Sequence, residues 1–293
     1  MGNPQRKLNR QIRNHREWLR DSGTEIYEYT NQRIVKYLSE GSLPALRTMK
    51  SSLRGLGLYY GTKGVISLVD GVPGAWDDIY LSGSFHLYGL RLQFILWTRL
   101  ADEPGFTLSI HEAACALCFS LANGLSDWTQ LFTEMLSQAA WNDQMVRQVY
   151  WQERKFEPFA LRLSQLAGNT GENGAASNDS LGIYSDIFSN WNSPDSLATA
   201  MAKICDYHCE NMEDAGGNDD WNPEFDEPPF DLIPWEILAI HQVRNRLGLA
   251  TPEINHPLLA NVVNFIPRSE LPMDMRIRAV EQLREALSMT LKA

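Results

Sequence analysis

Apolar residues recur at helical spacing along nearly the whole chain, whereas runs of alternating β-branched residues are scarce, and this confines the fold to packed helices. The spacing predicts an all-α protein: an irregular array of about ten antiparallel helices, stacked in pairs, with no significant sheet. No strict repeat period accompanies the helices, so no named repeat architecture follows. Between Trp76 and Leu100 the residues Ile79, Tyr80, Phe85, Leu87, Tyr88, Leu90, Leu92, Ile95 and Leu96 cover too much of the circumference for a surface helix, so this helix is expected at the centre.

Punctuation residues set the expected boundaries. A first helix runs from Pro4 to Asp21 and is broken by Ser22 and Gly23; a second starts at Thr24 and ends at Gly41. Ser42 and Pro44 open a third, and Gly64 to Gly74 forms a turn-rich interruption. An apolar helix from Ser109 to Ala122 is closed by Gly124, with Ser126 or Asp127 capping the next. The Gly/Asn/Ser/Thr-rich stretch from Gly168 to Ser180 is the clearest loop, a hinge or an insertion. It separates an N-terminal helical region, 1–167, from a C-terminal one, 181–293, carrying an acidic insertion at 206–233; a single continuous domain is the alternative. Ser193 and Pro194 start a helix that reaches about Met212. Pro234 opens the helix that Gly248 terminates, and a last helix covers Met275 to Leu291.

The 293 residues include 44% hydrophobic and 21% charged side chains, ordinary values for a chain that folds around its own core. The basic start has no apolar segment behind it, and the most apolar run, Ser84 to Leu100, is interrupted by His86, Arg91, Gln93 and Arg99. Neither a secretory signal nor a membrane span is expected, and the protein is read as soluble and cytoplasmic, its four cysteines as reduced thiols.

Charge is distributed unevenly. From Cys205 to Val243 there is no Lys or Arg, but there are eleven carboxylates: Asp206, Glu210, Glu213, Asp214, Asp219, Asp220, Glu224, Asp226, Glu227, Asp231 and Glu236. That stretch carries −11 against a net −10, leaving +1 for everything else. Such a field attracts a basic partner or a hard cation and repels nucleic acid. Gly216, Gly217, Pro223, Pro228, Pro229 and Pro234 keep much of it out of helix, and Trp221, Phe225 and Phe230 interleave with the charge. Aromatic anchors in a charged rim suit a protein interface, and the expected partner-binding set is Glu213, Asp214, Asp219, Asp220, Trp221, Glu224, Phe225, Asp226 and Glu227. The rings could equally tuck the segment onto the helices. The segment lacks the spacing of a calcium-binding EF-hand loop. At the other end, Arg6, Lys7, Arg10, Arg13, Arg16 and Arg20 against Glu17 make a basic start.

His111, Cys115 and Cys118 share one helix face, as do Cys205, His208 and Cys209; four such ligands could surround zinc, while small soft cysteines on apolar faces are ordinary core. His241 and Arg244 lie beside Glu236 and could pair with it. No phosphate loop, nucleophile elbow or His-Glu-x-x-His motif is present, and no catalytic residue, metal or cofactor is assigned.

The stretch from Ile233 through Pro234, Trp235, Glu236, Ile237, Leu238 and Ala239 to Ile240, followed by Arg244, Leu247-Gly248-Leu249 and His256-Pro257-Leu258-Leu259, resembles the closing region of helical immunity proteins of bacterial polymorphic-toxin systems. The helices from Trp76 to Trp141 are similar in texture to that group, which includes proteins neutralising type VI secretion effectors. The resemblance implies a non-enzymatic antitoxin that binds a cognate toxin or effector, and the acidic stretch adds that its partner has a basic surface. A helical adaptor or effector chaperone, and a metal-dependent enzyme around the Cys/His faces, are the alternatives.

Overall fold

The computed structural model describes residues 3–100, 108–141, 153–168, 181–212 and 223–287. All regular structure among them is helical, and one isolated parallel bridge, Met212 with Phe225, takes the place of a sheet. No described helix is long and apolar enough to cross a membrane.

Helix α1 covers Pro4–Trp18 and α2 covers Thr24–Glu40. The break expected at Ser22 and Gly23 does not occur: Leu19–Gly23 forms a π-helical turn, and Gly23 keeps right-handed helical geometry at φ −58°. Glycine permits a break without requiring one, and here the widened turn carries the axis onward. Gly41, at φ +57°, does end α2, its N–H donating to the Tyr37 carbonyl at 3.2 Å. Ser42 caps α3, Leu43–Val69, by accepting from the Ala45 N–H at 3.3 Å.

The interruption expected from Gly64 onward starts later, at Asp70. Gly64 stays inside α3, because it faces α4, Ala75–Leu100, at a separation too small for a side chain. A Cβ there would lie 2.7 Å from Ile79 Cγ1 and 2.9 Å from the Ile79 backbone nitrogen. As anticipated, α4 is central to its surroundings: Ile79, Tyr80, Phe85, Leu87, Leu90, Leu92, Ile95 and Leu96 are all buried.

The following helices are α5, Ile110–Asn123, and α6, Ser126–Trp141, joined through Gly124 at φ +69°. Next come α7, Phe156–Leu166, the short α8, Ser185–Ser189, and α9, Pro194–Glu210. The last described helices are α10, Trp235–Arg246, and α11, Met275–Ala286. Residues 169–180 of the expected Gly168–Ser180 loop lie outside the described residues.

Two compact units form, and neither is a continuous stretch of chain: one takes residues 1–12 and 110–269, the other 13–109 and 270–293. In the second unit Ile34, Leu46, Met49, Leu53, Leu56, Phe85, Leu92 and Leu96 make a core that Ile277 and Val280 of α11 complete. The first unit is built on α5, of whose fourteen residues twelve are buried, packed by α6, α7 and α10. The charge is divided just as unevenly. The first unit holds 22 carboxylates against 11 Lys and Arg, and the second 14 against 15, so the first carries all the negative balance.

Candidate functional site

A stretch with four prolines and few apolar side chains has little reason to enter a core, yet residues 223–234 run through the first unit largely buried. Phe225 provides the first reason. Its ring stacks on the His208 imidazole with centroids 3.9 Å apart and planes 14° from parallel, and meets the Phe156 edge at 5.1 Å. Its N–H donates to the Asn211 carbonyl at 3.0 Å. Phe230, Leu232 and Ile233 are buried after it, and a tight turn returns the Phe230 and Asp231 N–H groups to the Glu227 carbonyl at 2.7 and 3.1 Å.

Two histidines supply the second reason. His208, one of the last residues of α9, is fully buried; its Nδ1 lies 2.7 Å from Glu236 Oε1 and its Nε2 2.8 Å from the Asp231 carbonyl oxygen. His111, in the first turn of α5, repeats the arrangement: Nδ1 is 3.1 Å from Glu157 Oε1 and Nε2 contacts the Glu224 carbonyl oxygen. A carbonyl and an ionised carboxylate both only accept, so each ring must donate from both nitrogens and carry a positive charge.

The environment agrees with that assignment. Burial opposes charge on His208, but Glu236 and the Asp231 carbonyl override it, so its pKa is raised. Burial opposes charge on His111 as well; its pKa is nevertheless raised, by Cys115 once that thiol ionises and by the hydrogen bond and charge of Glu157. Burial also raises the Cys115 thiol, so at neutral pH the counter-charge is the Glu157 carboxylate. Burial alone would raise Glu157; the hydrogen bond and charge of His111, aided by Arg154 at 3.6 Å, hold it below the usual range. Removing one partner from such a buried pair costs about 3–5 kcal/mol, because a desolvated charge is left behind.

Glu224 is buried and accepts from the Tyr207 hydroxyl at 2.9 Å; burial and the nearby Glu157 keep its pKa raised. Asp231, fully buried, accepts from Gln11 Nε2 of α1 at 2.7 Å. Tyr184, also fully buried, has a hydroxyl with no hydrogen-bond partner among the described residues, and burial beside Glu224 and Glu236 pushes its pKa well up.

The expected partner-binding residues therefore divide. Glu213, Asp214, Asp219, Asp220 and Trp221 lie outside the described residues. Glu224 and Phe225 face inward, and Asp226 and Glu227 are half-buried. Glu236, expected beside His241 and Arg244, pairs instead with His208. Arg244 is buried over the Trp191 ring, 5.2 Å from its centroid, and donates to the Trp191 and Ala250 carbonyls.

The two Cys/His faces differ from a metal centre in their surroundings. Among the described residues no three His, Cys, Asp or Glu side chains are grouped to hold a metal ion. All four cysteines are buried thiols, Cys209 pushed up to about 12 mainly by burial. Cys115 Sγ lies 3.7 Å from His111 Nε2, with Glu157 behind the ring, an order that superficially matches a nucleophile, base and orienting acid. The Nε2 proton, however, is committed to the Glu224 carbonyl, so the ring cannot accept one from the thiol, and a raised thiol pKa is the opposite of activation.

Sequence reasoning missed Gln11, Glu157, Tyr184 and Tyr207. A rule could have found Glu157: a carboxylate placed in an otherwise apolar helix start, Phe156 to Phe159, needs a buried donor, and histidines are the available ones. Comparison of the chain with protein-family models, with curated proteins and with solved structures returns no match.

Proposed function

We propose that this protein is an immunity protein, which binds a cognate bacterial toxin through the acidic segment between α9 and α10 and neutralises it. The observation that supports this best is how the segment is mounted. Met212 and Phe225 are bridged, and from Phe225 onward the chain is fixed by Phe225, His208 and His111, so the intervening stretch starts and ends at neighbouring points. That stretch carries Glu213, Asp214, Asp219, Asp220 and Trp221 and no basic residue. Carboxylates concentrated in one stretch raise the encounter rate with a basic surface such as the cleft of a toxin acting on nucleic acid, and an aromatic side chain among them offers an anchor. The resemblance of the C-terminal stretch to helical immunity proteins points the same way.

Co-purification with a candidate toxin, chosen from the products of neighbouring genes, is the direct test. The quantitative one replaces Glu213, Asp214, Asp219 and Asp220 by Lys, leaving Glu224 alone because a buried Lys would probe folding instead. Association with the toxin is expected to slow by at least about tenfold at low salt and to lose most of its salt dependence. Unchanged association kinetics would remove this segment as the docking surface.

A further inference from the structure

The geometry points to a protonation-dependent latch: His111 and His208, both as imidazolium ions, pin residues 223–236 to α5 and α9, and loss of their protons in alkaline solution releases that segment. The latch does not depend on what the acidic segment binds.

Each ring bridges two acceptors that cannot share one proton. A neutral imidazole has a single N–H, so deprotonating His208 takes the histidine donor from either the Glu236 carboxylate or the Asp231 carbonyl, and deprotonating His111 takes it from either Glu157 or the Glu224 carbonyl. Both carbonyls belong to the segment itself and the carboxylates to α7 and α10, so the histidines of α5 and α9 tie four helices together through the segment.

The groups facing His208 are Glu236 of α10, the Asp231 carboxylate with Gln11 of α1 bonded to it, and the Phe225 ring; Cys205 and Cys209 precede and follow it on α9. Those facing His111 are Glu157 of α7 with Arg154 beside it, Cys115 of α5, the Phe156 ring and Glu224, the last held by Tyr207 of α9. The thiols and Tyr207 are neutral near pH 7 because burial raises them, which leaves the carboxylates as the counter-ions of the two rings.

The sign follows from the raised values of both histidines. Below the ordinary value of 6.5 the rings are charged in the folded and the unfolded chain alike, and the latch contributes fully; as pH rises through the higher folded values the contribution disappears.

Two measurements on the full-length chain test this. Nitrogen-15 NMR of the imidazoles at pH 7 is expected to show His111 and His208 with both nitrogens protonated; neutral rings at pH 7 would overturn the latch. Amide hydrogen exchange, corrected for its intrinsic pH dependence, is expected to accelerate by about tenfold or more in peptides covering 223–236 between pH 6.5 and pH 9, while α3 and α4 keep their protection. In Glu236→Gln and Glu157→Gln the acceleration should begin about one pH unit lower or more, since the carboxylate favouring the charged ring is gone. Exchange that stays constant across that range in the wild type, or an onset that neither variant moves, would equally refute it. Should both variants fail to fold, the NMR of the unaltered chain still decides.

Discussion

His241 behaves in the opposite sense to the two latch histidines, although it is carried by the same unit. It stands three residues before Arg244 on α10, and burial together with that guanidinium pushes it down to about 4. The unfolded chain therefore takes up this proton first as the solution is acidified. Stability is intact above the ordinary value of 6.5 and falls progressively between 6.5 and 4, by at most roughly 3 kcal/mol. His111 and His208 contribute no slope in that window, being charged in both states. His241→Gln should thus narrow the difference between urea midpoints measured at pH 7 and pH 4.5, and an unaltered difference would assign the acid loss to other groups. Phe225 makes a separate residue-scale case. Truncation to Ala removes the ring that covers His208 and abuts Phe156, so Phe225→Ala is expected to cost about 3–5 kcal/mol in equilibrium unfolding. A cost under about 1 kcal/mol would mean that the ring lies at the surface, as an interface aromatic would.

At the scale of elements, helix α3 shows what four glycines in one helix are for. Gly64 lets α4 approach so closely that a methyl group would lie 2.7 Å from Ile79 Cγ1 and 3.2 Å from the Ala75 carbonyl oxygen. On α4, by contrast, the nearest atoms to a Cβ at Gly89 are Leu53 Cβ at 3.5 Å and the Lys50 carbonyl at 3.6 Å, which is ordinary contact. Gly64→Ala should therefore destabilise by about 1–3 kcal/mol through forced separation of the helices. Gly89→Ala should stabilise by up to about 1 kcal/mol through lost unfolded-state freedom. Thermal unfolding of the pair checks both signs, and similar shifts in the two variants would contradict the assigned roles. The same glycines show where sequence reading stops. Helices were legible because a 3.6-residue period survives any tertiary arrangement, and Gly41, Gly124 and Gly248 did mark positive-φ ends. Gly23 and Gly64 look like breaks in the sequence, because a glycine that ends a helix and one that stays within it have the same signature. In the candidate site, the charge of 205–243 was legible, but not its inward half. Glu236 needs His208, 28 residues earlier, and Glu157 needs His111, 46 residues earlier, and no local spacing encodes partners on different helices.

For the whole molecule, the decisive property is that neither compact unit is continuous in sequence. The second unit is built from residues 13–109 but is completed by 270–293, whose helix α11 inserts Ile277 and Val280 against Ile34, Leu46, Met49, Leu53, Leu56, Phe85, Leu92 and Leu96. Arg276, next to them, is half-buried in a polar and aromatic setting: it donates to Asp274 at 2.7 Å, to Asn31 at 2.6 Å and to the Tyr60 hydroxyl at 3.2 Å, and its guanidinium carbon lies 5.0 Å from the Phe85 ring centroid. Glu281 adds an ion pair to Arg91 of α4. The last helix is thus a structural part of a core laid down some 200 residues earlier. Loss of two buried aliphatic side chains from a packed core costs about 2–5 kcal/mol for the larger and somewhat less for the smaller, comparable with the total stability of many domains. Ending the chain at Ser269 is therefore expected to abolish slow hydrogen exchange in peptides from α2, α3 and α4, and Ile277→Ala with Val280→Ala to weaken it in the same peptides. If α2 to α4 retain their protection without residues 270–293, their own contacts suffice and α11 merely rests on a finished core.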